Sequence, residues 1–200
     1  MGIIGAIVAA ATTVVKTLSV AGLALQGLKA IANVLTSLGK ALGLIKTETK
    51  VDELGDKALQ SGYNPDDFDS YAEYVKEVEK FDDLDPEKSK SFSENEKLEK
   101  GMELAVGATI ENFEGFPIDE FCIAVGQNPE FFTPDKMDEI GKLMQADGQH
   151  IPSILNFLNG SEKDTGKNRA AFDTLVKIEK TVNPSISEKD AYRSVLQARK

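Results

Sequence analysis

The chain has 200 residues, of which 41% are hydrophobic and 28% are charged, and its formal net charge is -10. This composition is typical of a foldable globular chain of one or two domains and argues against wholesale disorder. The acidic balance argues against a general nucleic-acid binder, because such proteins need a basic surface that neutralises phosphates.

Charge and aromatic residues are distributed unevenly along the chain. Residues 1–46 contain four lysines and no aspartate or glutamate, whereas all 33 acidic residues and the other 19 basic residues follow. Every Phe and Tyr lies at or beyond Tyr63. This asymmetry predicts an apolar, cationic helical segment at 1–46, a helical connector at 47–93 and an acidic helical domain at 94–200.

The N-terminal segment opens with a long apolar run. Residues 3–25 contain one charged residue, Lys16, and at 1.5 Å per residue a helix of this length approaches a bilayer span. A lysine near the middle of a span costs about 2.5 to 3.5 kcal/mol on insertion scales, which disfavours a simple transmembrane helix. No basic residue precedes the run, so a standard signal peptide is not predicted.

An amphipathic helix is predicted to follow, either alone or as part of a helical hairpin. Its polar residues occupy a narrow arc and its apolar residues the rest, so the helix must be enclosed by lipid, by its own domain or by partner helices. Lysines on the polar face would attract anionic headgroups. The residues predicted to bind a membrane or a partner are Lys16, Leu25, Leu28, Lys29, Ile31, Leu35, Leu38, Lys40, Leu42 and Ile45.

Two glycines in this segment have the spacing of a helix-contact motif. Gly39 and Gly43 spell GxxxG, which permits close approach of two helices. Gly39 and Gly43 are therefore predicted to lie at a contact between helices.

Signals for helix starts and ends continue after residue 46. Residues 51–62 are predicted to form a helix that ends at Gly62, and Asn64 is predicted to cap a second helix that runs through Phe81. Residues 82–93 are predicted to be an acidic linker, after which Ser93 and Glu96 form a capping box.

The remainder of the chain also carries helical patterns. Ser187 is a further predicted N-cap, and residues 159–167 are predicted to be a polar loop. No alternating strand pattern is present, so the predicted fold class is all-α. The predicted helices are 94–113, 117–125, 134–146, 152–158, 168–182 and 188–198.

The sequence offers few groups for catalysis. His150 is the only histidine, and the only cysteine, Cys122, has apolar neighbours that predict a buried, inert thiol. Residues 83–94 match the ligand spacing of a calcium loop, but Lys88 stands where such a loop needs glycine. We therefore predict a protein that is not an enzyme and that uses no cofactor or metal.

The leading hypothesis is a non-enzymatic membrane-interacting protein whose cationic N-terminal segment binds or inserts into a bilayer, while the acidic domain supplies solubility or docks a partner. One alternative is a structural component of a secretion or virion-like particle, with the apolar helix buried in a homo-oligomer. Another is a secreted toxin or effector with a membrane-inserting N-terminus. The expected partners are membrane lipid or the helices of a partner protein, and nucleic acid is not expected. The sequence does not fix the location, which is either a membrane or, after secretion without a standard signal peptide, outside the cell.

Overall fold

The computed structural model describes residues 2–20, 25–46, 48–113, 115–147 and 150–199. These residues contain eleven α-helices, one short 3-10 helix at Pro65–Asp67 and no strand, which confirms the predicted all-α class. The α-helices are α1 (Ile3–Val20), α2 (Leu25–Ala41), α3 (Val51–Ser61), α4 (Tyr71–Lys80), α5 (Pro86–Ser91), α6 (Glu94–Asn112), α7 (Ile118–Gln127), α8 (Pro134–Asp147), α9 (His150–Leu158), α10 (Thr165–Val182) and α11 (Glu188–Ala198).

Several helix ends lie at the capping residues that the sequence predicts. At the start of α6, the Ser93 hydroxyl accepts from the Glu96 N–H at 3.2 Å, and the Glu96 carboxylate accepts from the Ser93 N–H at 2.8 Å. The Ser187 hydroxyl likewise accepts from the Asp190 N–H at 3.1 Å and caps α11. Gly62 ends α3 in the left-handed region, with φ of +68°. Local chemistry therefore sets these boundaries.

The predicted continuous helix from Asn64 to Phe81 is wrong, because the structure divides it. Asn64 caps only the 3-10 helix, and α4 starts anew at Tyr71. The Glu111 carboxylate of α6 accepts from the N–H groups of Tyr71 and Ala72 at 2.6 and 2.7 Å. A side chain 40 residues away in sequence thus satisfies the free donors of this second helix start.

The segment predicted as an acidic linker and the segment predicted as a polar loop both contain helix starts. Within residues 82–93, the Asp85 carboxylate accepts from the N–H groups of Glu87 and Lys88 and opens the short helix α5. Within residues 159–167, the Asp164 carboxylate accepts from the Lys167 N–H at 2.8 Å, so α10 begins at Thr165. In both segments, the part that is not helical is therefore shorter than the composition predicts.

The N-terminal helices share one apolar core with the rest of the described chain. The long helix α6 contacts α1, α2, α3, α4 and α7, and α2 also packs against α7 and α8. The core accordingly combines residues from the cationic segment with residues of the acidic part. This arrangement decides which surfaces of α1 and α2 remain open to solvent.

Candidate functional site: the N-terminal helices

The apolar face of α2 lies inside the protein. Ile31, Leu35 and Leu38 are 0% exposed, and Leu28 is also buried, as is Ile45 in the turn that follows α2. Helices α6, α7 and α8 cover this face. The sequence left open whether lipid, the chain's own domain or partner helices enclose this face. In the structure, the chain's own helices enclose it. Leu42 is half-buried, and the side chain of Leu25 lies outside the described residues.

The three predicted binding lysines of α1 and α2 occupy different environments. Lys16 is exposed on α1. The Lys29 ammonium lies 2.6 Å from the Glu94 carboxylate of α6, and the Lys29 side chain is 43% exposed. Lys40 is half-buried in the last turn of α2. Of the three lysines, Lys29 has an acidic partner within the chain, whereas Lys16 is open to solvent.

Both glycines of the GxxxG sequence have contacts or conformations within this chain. A Cβ added at Gly39 would lie 2.7 Å from Cδ1 of Ile45. Gly43 has a φ of +70°, and its N–H donates to the Lys40 carbonyl at 2.9 Å, while the Leu44 N–H donates to the Gly39 carbonyl at 2.8 Å. These two bonds form a Schellman motif that ends α2.

The surface of α1 that remains open carries a single charged side chain. Its buried side packs mainly against α6, with further contacts to α7 and to the 3-10 helix. The exposed residues follow the helical repeat and end near the one charged residue of α1. We call this surface the outer face of α1, and it consists of Ile3, Ala6, Ala9, Ala10, Thr13, Lys16 and Thr17.

The polar atoms of the outer face are largely satisfied by the helix itself. The Thr13 hydroxyl donates to the Ala9 carbonyl at 2.7 Å, and the Thr17 hydroxyl donates to the Thr13 carbonyl at 2.9 Å. Ile3, with 82% of its area exposed, is the largest apolar side chain on this face. The surface thus presents methyl groups and one ammonium, and it needs few hydrogen bonds from water.

Sequence periodicity did not single out the outer face of α1. The helix Ile3–Val20 is apolar on nearly all sides, so its sequence pattern does not show which side faces the core. One signal was nevertheless present: Ile7, Val14, Val15 and Leu18 form a stripe of large apolar side chains, whereas the residues opposite, apart from Ile3 and Lys16, are alanines and threonines. Side-chain size distinguishes the two sides of α1 better than hydrophobicity does.

The interior contains a buried ionic network at α8, α10 and α11. The Lys136 ammonium lies 2.6 Å from the Glu179 carboxylate, and both side chains are buried. The Ser194 hydroxyl donates to the same carboxylate, and Lys136 also lies 4.2 Å from the ring centroid of Phe131. Every charge in this network has a partner, as a buried ion pair requires.

The described residues contain no cluster of side chains that could hold a metal ion. Among them, no three His, Cys, Asp or Glu side chains are placed to hold a metal ion. Cys122 is 0% exposed, and burial, with a smaller contribution from Asp119, raises the pKa of its thiol far above the ordinary value. The side chain of His150 lies outside the described residues. Helix α5, Pro86–Ser91, occupies half of the calcium-loop-like sequence at 83–94.

None of the described helices is both long enough and apolar enough to cross a bilayer. Comparisons with protein-family models, with curated proteins and with solved structures give no match.

Proposed function

We propose that the protein is a non-enzymatic membrane-interacting protein that lies on a bilayer through the outer face of α1. The observation that carries this proposal is an exposed helix face within residues 3–17 that contains no acidic side chain, in a chain with 33 acidic residues. Lys16 is its one charged group, near the end opposite Ile3. Such a face suits the boundary between acyl chains and headgroups.

The size of this face implies weak, reversible binding. Transfer of apolar groups contributes roughly 0.8 kcal/mol per buried methyl or methylene and roughly 2 to 3 kcal/mol for an isoleucine. One isoleucine, three alanines and two threonine methyl groups therefore supply a gross gain of roughly 6 kcal/mol. Lys16 can extend its ammonium to the headgroups while its methylenes stay in the boundary region.

Insertion of α2 is a different and more costly step. Leu28, Ile31, Leu35, Leu38 and Ile45 are all buried in the core. Exposing five such side chains would cost roughly 8 to 15 kcal/mol, which is comparable with the whole stability of a typical domain. We therefore assign the membrane contact to α1 and leave α2 in the folded core.

A charge placed on the outer face tests the proposal. Ala10→Glu adds a carboxylate at the middle of the face, and Ala170→Glu makes the same substitution at an exposed alanine of α10. In flotation with phosphatidylcholine vesicles, we expect the unmodified protein and Ala170→Glu to bind alike and Ala10→Glu to bind at least about tenfold more weakly. Equal binding by both variants, or no binding by any of the three, would rule out the outer face as the membrane contact.

Assembly through the same face is the second candidate function. Gly2, Ala6 and Ala10 follow one another at intervals of four residues, and all three are exposed. Small side chains at this spacing allow two helix backbones to approach closely, so a second copy could pack on α1. Analytical ultracentrifugation without lipid distinguishes the two: a discrete oligomer that Ala10→Glu dissociates supports assembly, and a monomer supports the membrane contact.

A further inference from the structure

The C-terminal helices carry a surplus of positive charge in an acidic protein. Residues 165–200 contain eight Lys and Arg residues, among them all three arginines of the chain, and four Asp and Glu residues. One of these acids, Glu179, is buried and pairs with Lys136 of α8. The exposed surface of α10 and α11 is therefore locally positive, although the whole chain has a net charge of -10.

The largest apolar side chains of α11 face outward rather than into the core. Ala191, Val195 and Ala198 are buried, whereas Tyr192 is 39% exposed and Leu196 is 56% exposed. Tyr192 and Leu196 are four residues apart, so their side chains are neighbours on one side of the helix. The same helix that carries this positive charge thus also presents an apolar pair to solvent.

Ring contacts connect this apolar pair to an arginine at the end of α11. The ring centroids of Tyr192 and Phe172 lie 5.2 Å apart, and those of Phe172 and Phe157 lie 6.0 Å apart. The Arg199 guanidinium lies 4.9 Å from the centroid of Phe157. Arg199 directly follows α11, and positions 192, 196 and 199 follow the helical repeat. Arg199 therefore lies on the same side of α11 as Tyr192 and Leu196.

A second arginine lies beside Tyr192. Arg169 precedes Phe172 by three residues on α10, so the two side chains share one surface of that helix. The Tyr192 hydroxyl donates to the Glu188 carboxylate at 2.8 Å. This bond and the charge of Glu188 raise the pKa of Tyr192, whereas Arg169 acts in the opposite direction, as a neighbouring cation does. Arg169 is 84% exposed, and its contact with Asp173 spans 3.7 Å, so this surface pair holds the guanidinium only weakly.

These residues form one surface, which we call the α11 face and which consists of Arg169, Phe172, Tyr192, Leu196 and Arg199. We propose that the α11 face binds an acidic segment of a partner protein, whose carboxylates pair with the two guanidinium groups and whose apolar side chains pack on Tyr192 and Leu196. A planar guanidinium binds a carboxylate through two hydrogen bonds, and Tyr and Arg are enriched among the residues that dominate binding energy at protein interfaces. This inference goes beyond the membrane contact of α1 and does not depend on it.

An acidic peptide fits the α11 face better than an anionic bilayer does. Two carboxylates, those of Asp173 and Glu188, lie at the edge of the face and would be repelled by a continuous anionic surface. A peptide presents separate carboxylates that can lie against the arginines, and it offers main-chain N–H groups to the two acids. The contact with Phe172 and the hydrogen bond to Glu188 already hold the Tyr192 ring, so binding costs little of its side-chain freedom.

A titration without lipid tests the proposal on the full chain. The probe is a fluorescein-labelled peptide in which single leucines alternate with pairs of glutamates, and a second peptide has serine in place of each leucine. We expect fluorescence anisotropy to show saturable binding of the leucine peptide with a Kd on the order of 100 µM, and binding of the serine peptide about tenfold weaker. Absence of saturable binding by the leucine peptide would overturn the proposal.

Matched surface variants locate the binding. Leu196→Ser should weaken binding of the leucine peptide about tenfold, and Arg169→Gln should weaken it about fivefold. The controls Ile3→Ser on α1 and Lys76→Gln on α4 change an exposed apolar residue and an exposed cation elsewhere, and they should bind like the unmodified protein. Equal losses by Arg169→Gln and Lys76→Gln would mean that net charge alone attracts the peptide, which would overturn the proposal. Self-association or binding of anionic vesicles that Leu196→Ser abolishes, with peptide binding unchanged, would assign the face to a second copy or to lipid instead.

Discussion

Gly55 of α3 and Gly101 of α6 lie at the same backbone contact. A Cβ added at Gly55 would lie 1.8 Å from the carbonyl oxygen of Lys97, and a Cβ added at Gly101 would lie 1.9 Å from the carbonyl oxygen of Val51. The obstacle in both cases is main chain, which cannot rotate away. The two helices can therefore approach this closely only because neither position has a side chain.

This contact predicts an unusual response to alanine. In a helix, Gly→Ala ordinarily gains about 1 kcal/mol, but at Gly101 the new methyl group must push α3 away from α6. We expect Gly101→Ala to lower the free energy of unfolding by about 2 kcal/mol or more, measured by urea denaturation. Gly166→Ala in α10 is the control, because its nearest obstacle is the Asp164 side chain at 3.2 Å, and it should change stability by less than about 1 kcal/mol. A stabilised Gly101→Ala would contradict the close packing.

Because Lys136 and Glu179 form a buried ion pair, we expect a single substitution in the pair to cost more stability than substitution of both residues. Lys136→Met alone leaves the Glu179 carboxylate buried without its cation, which should cost about 3 to 5 kcal/mol. Replacing both residues with apolar ones should cost much less, because no charge then remains buried. Denaturant unfolding of the two single variants and the double variant measures this difference. If the double variant loses as much stability as the sum of the singles, the two groups do not form a coupled pair.

Asp56 predicts a specific dependence of stability on pH. Burial raises the pKa of this carboxyl, but hydrogen bonds from Ser89, Gln60 and Lys97 outweigh burial and hold the pKa below its ordinary value. A lowered carboxyl pKa adds stability above the unfolded pKa, about 3.9, and that stability is lost as pH falls through the folded pKa.

Asp56→Asn removes the charge that these hydrogen bonds stabilise. We expect it to cost about 1.5 kcal/mol at neutral pH, because charge-assisted hydrogen bonds become neutral ones. The difference from the unmodified protein should be constant above about pH 5 and shrink below about pH 4. Urea unfolding across this range measures the difference. If it stayed the same down to acid pH, the ionised carboxylate would not be the stabilising form.

Cys122 should be inert in the folded protein. Burial raises the pKa of its thiol, and the side chain is 0% exposed, so both thiolate formation and reagent access require the structure to open. We expect a disulfide reagent to modify it about 100-fold or more slowly than in the unfolded chain, equivalent to an opening free energy of about 3 kcal/mol. Rapid modification of the native protein would contradict the burial of α7.

The elements that the sequence predicted well are those defined by local chemistry. The capping box of Ser93 and Glu96 and the left-handed Gly62 involve neighbours in the chain, so their helix ends could be predicted from sequence. The division of the helix predicted from Asn64 could not, because the groups that satisfy the N–H of Tyr71 come from Glu111 on another helix.

The candidate site was less accessible to sequence reasoning. Periodicity identified the buried face of α2, including Ile31 and Leu38, but not which helices cover it. That information depends on contacts between residues far apart in the chain. The outer face of α1 is defined by the part of the helix that the fold leaves open, and the pattern of a single helix does not contain this information.

The most direct test of the membrane contact is an environment-sensitive fluorophore at residue 10. Ala10→Cys can be labelled selectively if the buried Cys122 is inert, and Ala170→Cys on α10 provides a matched exposed control. On addition of vesicles, the label at residue 10 should shift to the blue and be quenched by quenchers carried on the lipid tails, while the label at residue 170 should not change. An unchanged label at residue 10, or equal changes at both positions, would contradict the assignment of the membrane contact to the outer face of α1.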